Sequence, residues 1–315
     1  MTQSRAGALR LRSLACTACL LAASGALAAP SAKSSRANPW HAVRTPAKGE
    51  PRSIGGYSAG CLQGGRALPL DGDGYHVMHP QRRRNFGHPL LVSFVRELGK
   101  HVSAAGLGEI LVGDLGQPRG GPQPDGHSSH QTGLDVDIWF WAPDGSQPPV
   151  MSDADRTKLQ ARSVVDGKTA TLNDDWSPRM GEILELAAND ARVERMFVHP
   201  VIKRALCAKV QGDRAWLGKL RPWYGHDDHF HVRLACPPDS PDCRPQAPPP
   251  AGDGCAELEW WFSPEAKHDR NQGLQKYRDK VASMPRMPEQ CAALLETKPE
   301  PTAEARNTAA AKRND

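Results

Sequence analysis

From His88 onward, apolar residues recur at three- and four-residue spacing: Leu91, Phe94, Val95, Leu98 and Val102. That period predicts one stripe of an amphipathic helix. Ser177 followed by Pro178 is a second helix start, with Met180, Ile183, Leu184 and Ala187 as the apolar face. Pro200 to Cys207 reads as a short helix, and Ser152 to Arg162 as another, with Ser152 as N-cap and Asp155 at the third helical position. Strand signals lie between them. Glu109 to Val112, Gly133 to Trp141 and Val193 to Val198 are short apolar runs. His229 to Ala235 alternates, with Phe230, Val232 and Leu234 on one face and His229, His231 and Arg233 on the other.

The stretches between these elements read as loops. Residues 30–52 look like an extended lead-in, Gly55 to Gly65 like a Gly-rich loop, and Arg82-Arg83-Arg84 like a solvated turn. A loop as long as Gly113 to Gly126 inside a compact domain is usually functional. Residues 244–254 form a Pro-rich linker, and the segment from Cys255 to Cys291 reads as folding back, tied by a disulfide. The Ala/Glu/Lys/Pro tail, residues 297–315, reads as disordered. The domain reading is therefore a leader over 1–29, one folded domain over 30–296 and the tail.

The first 29 residues read as a cleaved export signal. Arg5, Arg10 and Arg12 precede the apolar run Leu14 to Leu27, which is too short to span a bilayer. Small residues around Ala28 and Ala29 mark the cut. No later segment is apolar enough to act as a membrane anchor. Cleavage removes three arginines and no acids, so the formal charge falls from +5 to +2. A mildly basic chain argues against nucleic-acid binding, which needs a concentrated basic face. Six cysteines remain: Cys61, Cys207, Cys236, Cys243, Cys255 and Cys291. An even number in an exported protein reads as disulfides, and Cys236 with Cys243 flank a tight Pro/Asp-rich turn.

Two short acid-rich segments hold five histidines: His127 and His130 with Asp135 and Asp137, then His226, His229 and His231 with Asp227 and Asp228. A lone histidine is usually a surface or hydrogen-bonded core residue, but this concentration points to a metal. Zinc takes imidazole and carboxylate, and a catalytic site uses three protein ligands with one position left open. His130, Asp137 and one of His229 and His231 suit that pattern, with the other histidine standing beside the metal-bound water. Asp135 shares the strand face of Asp137 and is the alternative carboxylate ligand; the preferred reading makes it a hydrogen-bond partner orienting a ligand histidine. His-Glu-x-x-His does not occur.

The segments GHPLLVSFVRELG, HSSHQTGLDVDIW, RPWYGHDDHFHVRLACP and GDGC resemble the penicillin-insensitive murein endopeptidases. These belong with the lysostaphin, D-Ala-D-Ala and sonic-hedgehog-like zinc peptidases. The resemblance runs from about Ser53 to Cys291. It implies an α+β fold, with a small antiparallel sheet flanked by helices, zinc on the sheet face and long disulfide-tied loops. It implies a periplasmic enzyme that hydrolyses the D-alanyl–meso-diaminopimelyl cross-link of peptidoglycan. Carried over, His130, Asp137 and His231 hold one zinc, and His229 and His226 are the other essential histidines. The pairs implied are Cys61–Cys291, Cys207–Cys255 and Cys236–Cys243. Some members have a second metal position. His127 and Asp166 match it, but Thr169 stands where its last histidine would be, so a second zinc is not expected.

On this reading His229 takes or relays the proton and steadies the oxyanion, with His226 or Asp228 as the rival base. The alternatives are a D,D-carboxypeptidase of the same fold and a zinc-stabilised wall-binding protein without catalysis. The sequence sets no oligomeric state.

Overall fold

The computed structural model describes residues 38–124, 127–141, 152–282 and 285–296. The leader and the tail lie outside the described residues. The fold is α+β around a mixed seven-stranded sheet. Its strands are β1 (Asp71–Gly72), β2 (Tyr75–Val77), β3 (Ile110–Val112), β4 (Asp135–Trp139), β5 (Val193–Val198), β6 (Leu220–Pro222) and β7 (His229–Leu234). In space the order is β6-β5-β7-β4-β3-β2-β1. The pairs β2–β3 and β5–β6 are parallel and the other neighbours antiparallel. The expected small antiparallel sheet is thus corrected. The central pair is antiparallel, and crossovers add parallel strands on both sides of it.

Helix α1 (Pro89–Ala104) realises the first apolar stripe and buries Leu91, Phe94, Val95, Leu98 and Val102. His88 caps it by accepting from the Leu90 amide, and Pro89 opens it, having no amide proton to leave unpaired. Helix α2 (Pro178–Asn189) buries Met180, Ile183, Leu184, Ala187 and Ala188. Both helices share one core with Val136 and Ile138 of β4 and Phe230, Val232 and Leu234 of β7. Removing an aromatic ring such as Phe94 from a core of this kind costs about 3–5 kcal/mol. Helix α3 (Pro200–Lys209) packs against β6 and buries Ile202 and Leu206.

Four local readings change. Gly55 to Gly65 is not a loop: Arg52–Gly56 pairs with Ala59–Gln63 as a hairpin. The Ser152 helix stops at Lys158, its Ser152–Asp155 capping box intact. Beyond it the chain extends, and the Val164 amide bonds Asp227 O at 2.8 Å. Arg84 is buried against Asp114, not solvated. The Pro-rich stretch is anchored rather than free, with Arg195 donating to Ala247 O and Arg233 to Gln246.

Three disulfides form: Cys61–Cys291, Cys207–Cys255 and Cys236–Cys243. They tie the C-terminal return to the body, through the hairpin and α3 respectively for the first two. Among the described residues no helix is long and apolar enough to cross a membrane.

Candidate metal centre

The site grows from the register of β4 against β7. His231 lies opposite Asp137, His229 opposite Trp139 and Arg233 opposite Asp135. Since strand side chains alternate, these six share the face turned away from the apolar core. His130 arrives from the preceding loop. Its φ of 61° is a left-handed conformation that a non-glycine residue rarely holds. Gly133 makes the return turn at φ +73°; a Cβ there would stand 2.6 Å from Leu62 and 2.9 Å from the His88 amide. The chain therefore needs glycine at 133 to deliver His130 beside β4.

Asp137 is the hub. Its Oδ1 lies 3.2 Å from His231 Nδ1, 3.4 Å from His130 Nε2 and 3.6 Å from His229 Nε2. Its Oδ2 lies 3.4 Å from His127 Nδ1. Donor atoms of His127, His130 and Asp137 all fall within 4.8 Å of one another. Two candidate triads thus share His130 and Asp137, one completed by His127 and the other by His231.

The donor set fits a divalent cation. His130 Nε2 and Asp137 Oδ1 are buried and make no hydrogen bond among the described residues. Buried polar atoms are seldom left so, and here they converge on one point. The far nitrogens are held. His130 Nδ1 meets Leu115 O at 2.9 Å, and His231 Nε2 meets Asp135 Oδ1 at 2.7 Å. Asp135 also accepts from Arg233 Nε at 2.6 Å. An imidazole anchored at one nitrogen presents the other to metal.

Electrostatics match. Burial pushes the Asp137 carboxyl up, but His130, His229 and His127 outweigh it and hold it well below the usual range. Burial likewise opposes ionisation of Asp135, and Arg233 and His231 overcome it. Burial lowers His229, yet Asp137 and Asp228 carry it up to about 9. His226 goes the other way: burial and the neighbouring His229 and His231 push it well below its ordinary value. The two rings are 5.0 Å apart. They sit side by side with opposite proton preferences.

A cavity of about 200 Å³ opens on this cluster, lined among others by Arg82, His127, Trp139, Asp228 and His229. Asp166 stands elsewhere, on the hairpin Val165–Asp166/Thr171–Leu172, accepting from the Lys168 amide. The metal-capable cluster among the described residues does not include it.

Sequence reasoning overlooked Asp114. It is buried, 3.1 Å from His127 Nε2 and 2.8 Å from Arg84 Nη1. A lone carboxylate inside the Gly113–Gly126 stretch, with three arginines upstream to answer it, was the available signal. That loop is buried as far as Gln123, so its carbonyls need partners. The Gln117 amide serves Pro122 O and the Gln123 amide serves Leu115 O, both at 3.0 Å.

The family described as "Penicillin-insensitive murein endopeptidase" matches residues 53–296. Curated relatives under that name align over much of the chain. One from Klebsiella pneumoniae is 44% identical over 280 residues, covering 88% of this chain and 95% of that protein. One from Yersinia enterocolitica is 46% identical over 231 residues, covering 72% and 82%. One from Escherichia coli is 43% identical over 282 residues, covering 88% and 95%. With the site's chemistry and this span of likeness together, the chain belongs to the penicillin-insensitive murein endopeptidase family.

Proposed function

We propose that the protein is a periplasmic zinc endopeptidase that hydrolyses the D-alanyl–meso-diaminopimelyl cross-link of peptidoglycan, with zinc held on the sheet face by His130, Asp137 and His231. The observation that carries this is the convergence of His130 Nε2 and Asp137 Oδ1, neither hydrogen-bonded among the described residues, with the anchored His231 next to a cavity that Asp137 lines. A family and relatives named as murein endopeptidases support the substrate class. Three disulfides fit an oxidising compartment.

His231 is preferred over His127 as third ligand because its Nδ1 lies on the same Asp137 oxygen as His130 Nε2, whereas His127 Nδ1 lies on the other. The far nitrogens of both are anchored on carboxylates, His231 Nε2 on Asp135 and His127 Nε2 on Asp114, so anchoring alone does not separate them. When bound, zinc supplies Lewis-acid polarisation of the scissile carbonyl and makes water acidic enough to ionise near neutral pH. The protein's own residues handle the protons. His226, kept neutral, accepts one; its buried Nδ1 has no hydrogen-bond partner among the described residues. His229, its Nδ1 held by Asp228, steadies the developing oxyanion and donates at Nε2 to the leaving amine. Paired groups with separated pKa values make such a division of labour.

The test is mass analysis of cross-linked muropeptide dimers incubated with the purified protein. Dimer should convert to monomer, stop with chelator and resume with zinc. Release of D-alanine from uncross-linked pentapeptides with dimers left intact would instead identify a carboxypeptidase. Binding to murein without any product would identify a non-catalytic protein. Substituting the histidines separates their roles: His226→Ala should remove the acidic limb of the pH–rate profile and His229→Ala the basic limb. Both limbs surviving in both variants would contradict the assignment.

A further inference from the structure

Two indoles stand in solvent: Trp223 is 56% exposed and Trp260 48%. They are the large hydrophobic side chains left exposed among the described residues. Trp261 lies between them, its ring centroid 6.3 Å from Trp223 and 5.2 Å from Trp260. The row continues inward. Trp223 meets Phe197 at 6.1 Å, and Phe197 meets His231 at 5.3 Å and His226 at 5.9 Å. An aromatic path therefore runs from the metal centre to the surface.

The outer end is built to hold its shape. Trp260 and Trp261 sit on the short 3-10 turn Leu258–Phe262. The Cys207–Cys255 disulfide binds the start of that turn to α3. The Tyr224 hydroxyl donates to Trp261 O, and Arg204 stacks on Phe262 at 3.8 Å. A surface held in advance loses little conformational entropy on binding.

We propose that this row is a saccharide subsite on which the amino-sugar strand of peptidoglycan stacks while its peptide enters the metal centre; this rests on the function proposed above. Pyranose rings present faces of C–H bonds that complement the electron-rich face of an indole. The peptides to be cut hang from that strand, and the row is continuous with the site that receives them. Arg270, stacked over Tyr224 at 5.0 Å, borders the row with a donor for hydroxyl or acetamide groups. A second protein copy fits less well. Two half-exposed indoles offer a few hundred Å² at most, against about 800 Å² per partner in a stable interface.

The experiment compares cross-linked disaccharide–peptide dimers with the same dimers stripped of sugar by an amidase. Wild type should show the lower KM on the sugar-bearing dimer. Trp260→Ala should raise that KM by about 2- to 10-fold, as loss of one aromatic stacking contact implies, so that the two KM values converge. Trp260→Phe should recover part of the preference. In parallel, an N-acetylglucosamine tetramer is titrated by tryptophan fluorescence, which needs no turnover. Wild type should bind it and Trp260→Ala should bind it more weakly. If no dimer is cut but the tetramer still binds through Trp260, the cleavage reading fails and the subsite stands. Equal KM values in wild type, an unchanged preference in Trp260→Ala, or an equal loss on both substrates would each overturn the proposal. So would dimerisation of the protein that Trp260→Ala abolishes.

Discussion

The β4–β7 pair and the C-terminal return, Cys255 to Glu296, are held in place by different physics. The strand pair is specified by alternation. Each inward residue packs in the core, the outward residues apart from Trp139 are polar, and a slip of one position would exchange the two faces. The return has little core of its own. Its long helix, Pro264–Ala282, buries Ala266, and its last helix, Glu289–Glu296, buries Cys291 and Leu294. Covalent bonds and a few polar anchors hold it. Arg119 donates to Leu294 O, and Lys203 donates to Asp253 O just before Cys255. The chemistry thus sits where packing is over-determined, and the covering segment is stapled to it.

The largest contrast should come from the hub. Asp137→Ala should abolish zinc retention and dimer cleavage while the far-UV circular dichroism stays native, because the β4 core face is untouched. Next, Asp135→Asn removes the charge that orients His231. Zinc affinity should fall by about 10- to 100-fold, read by competition with a chromophoric chelator. An unchanged affinity would show that Arg233 and the strand register alone position the imidazole.

The return should respond the other way. Replacing Cys61 and Cys291 together by alanine opens a loop of sequence separation 230. It should destabilise the protein by about 2–5 kcal/mol in denaturant unfolding, with hydrogen exchange rising first in Glu289–Glu296. The metal centre should keep its zinc under native conditions. Loss of zinc in that variant would mean the two regions are not separable.

The smallest effect is a pH dependence at the seam. Burial, with Arg221 nearby, pushes the Lys203 ammonium down to about 8. The unfolded side chain holds its proton to about 10.4, so between these values the unfolded state binds more protons. Stability should rise as pH rises from about 8 to 10. Lys203→Met should flatten that rise in urea titrations; a rise of the same size in the variant would assign it elsewhere.

The difference between the regions also explains what could be read in advance. Periodicity gave α1, α2 and the faces of β7, since burial on one side imposes the period. The two His/Asp segments were legible because each strand, together with the loop that leads into it, carries several of the clustered side chains. Long-range relations were not. Nothing local to Asp114 says that it meets Arg84 and His127, and nothing local to Tyr75–Val77 says that it runs parallel to Ile110–Val112. The hairpin at Arg52–Gly56 was hidden because glycines that serve a tight pairing look the same as glycines in a loop. The cysteines declared that disulfides exist, and the family resemblance, not their spacing, suggested the pairs.

The central claim is the choice of triad around His130 and Asp137. Wild type, His231→Ala and His127→Ala should be stripped with chelator, reloaded and assayed for zinc per chain by atomic emission. One zinc in wild type and in His127→Ala, with none retained by His231→Ala, is the result the account predicts. Zinc retained by His231→Ala and lost from His127→Ala would place the metal in the other triad and contradict it.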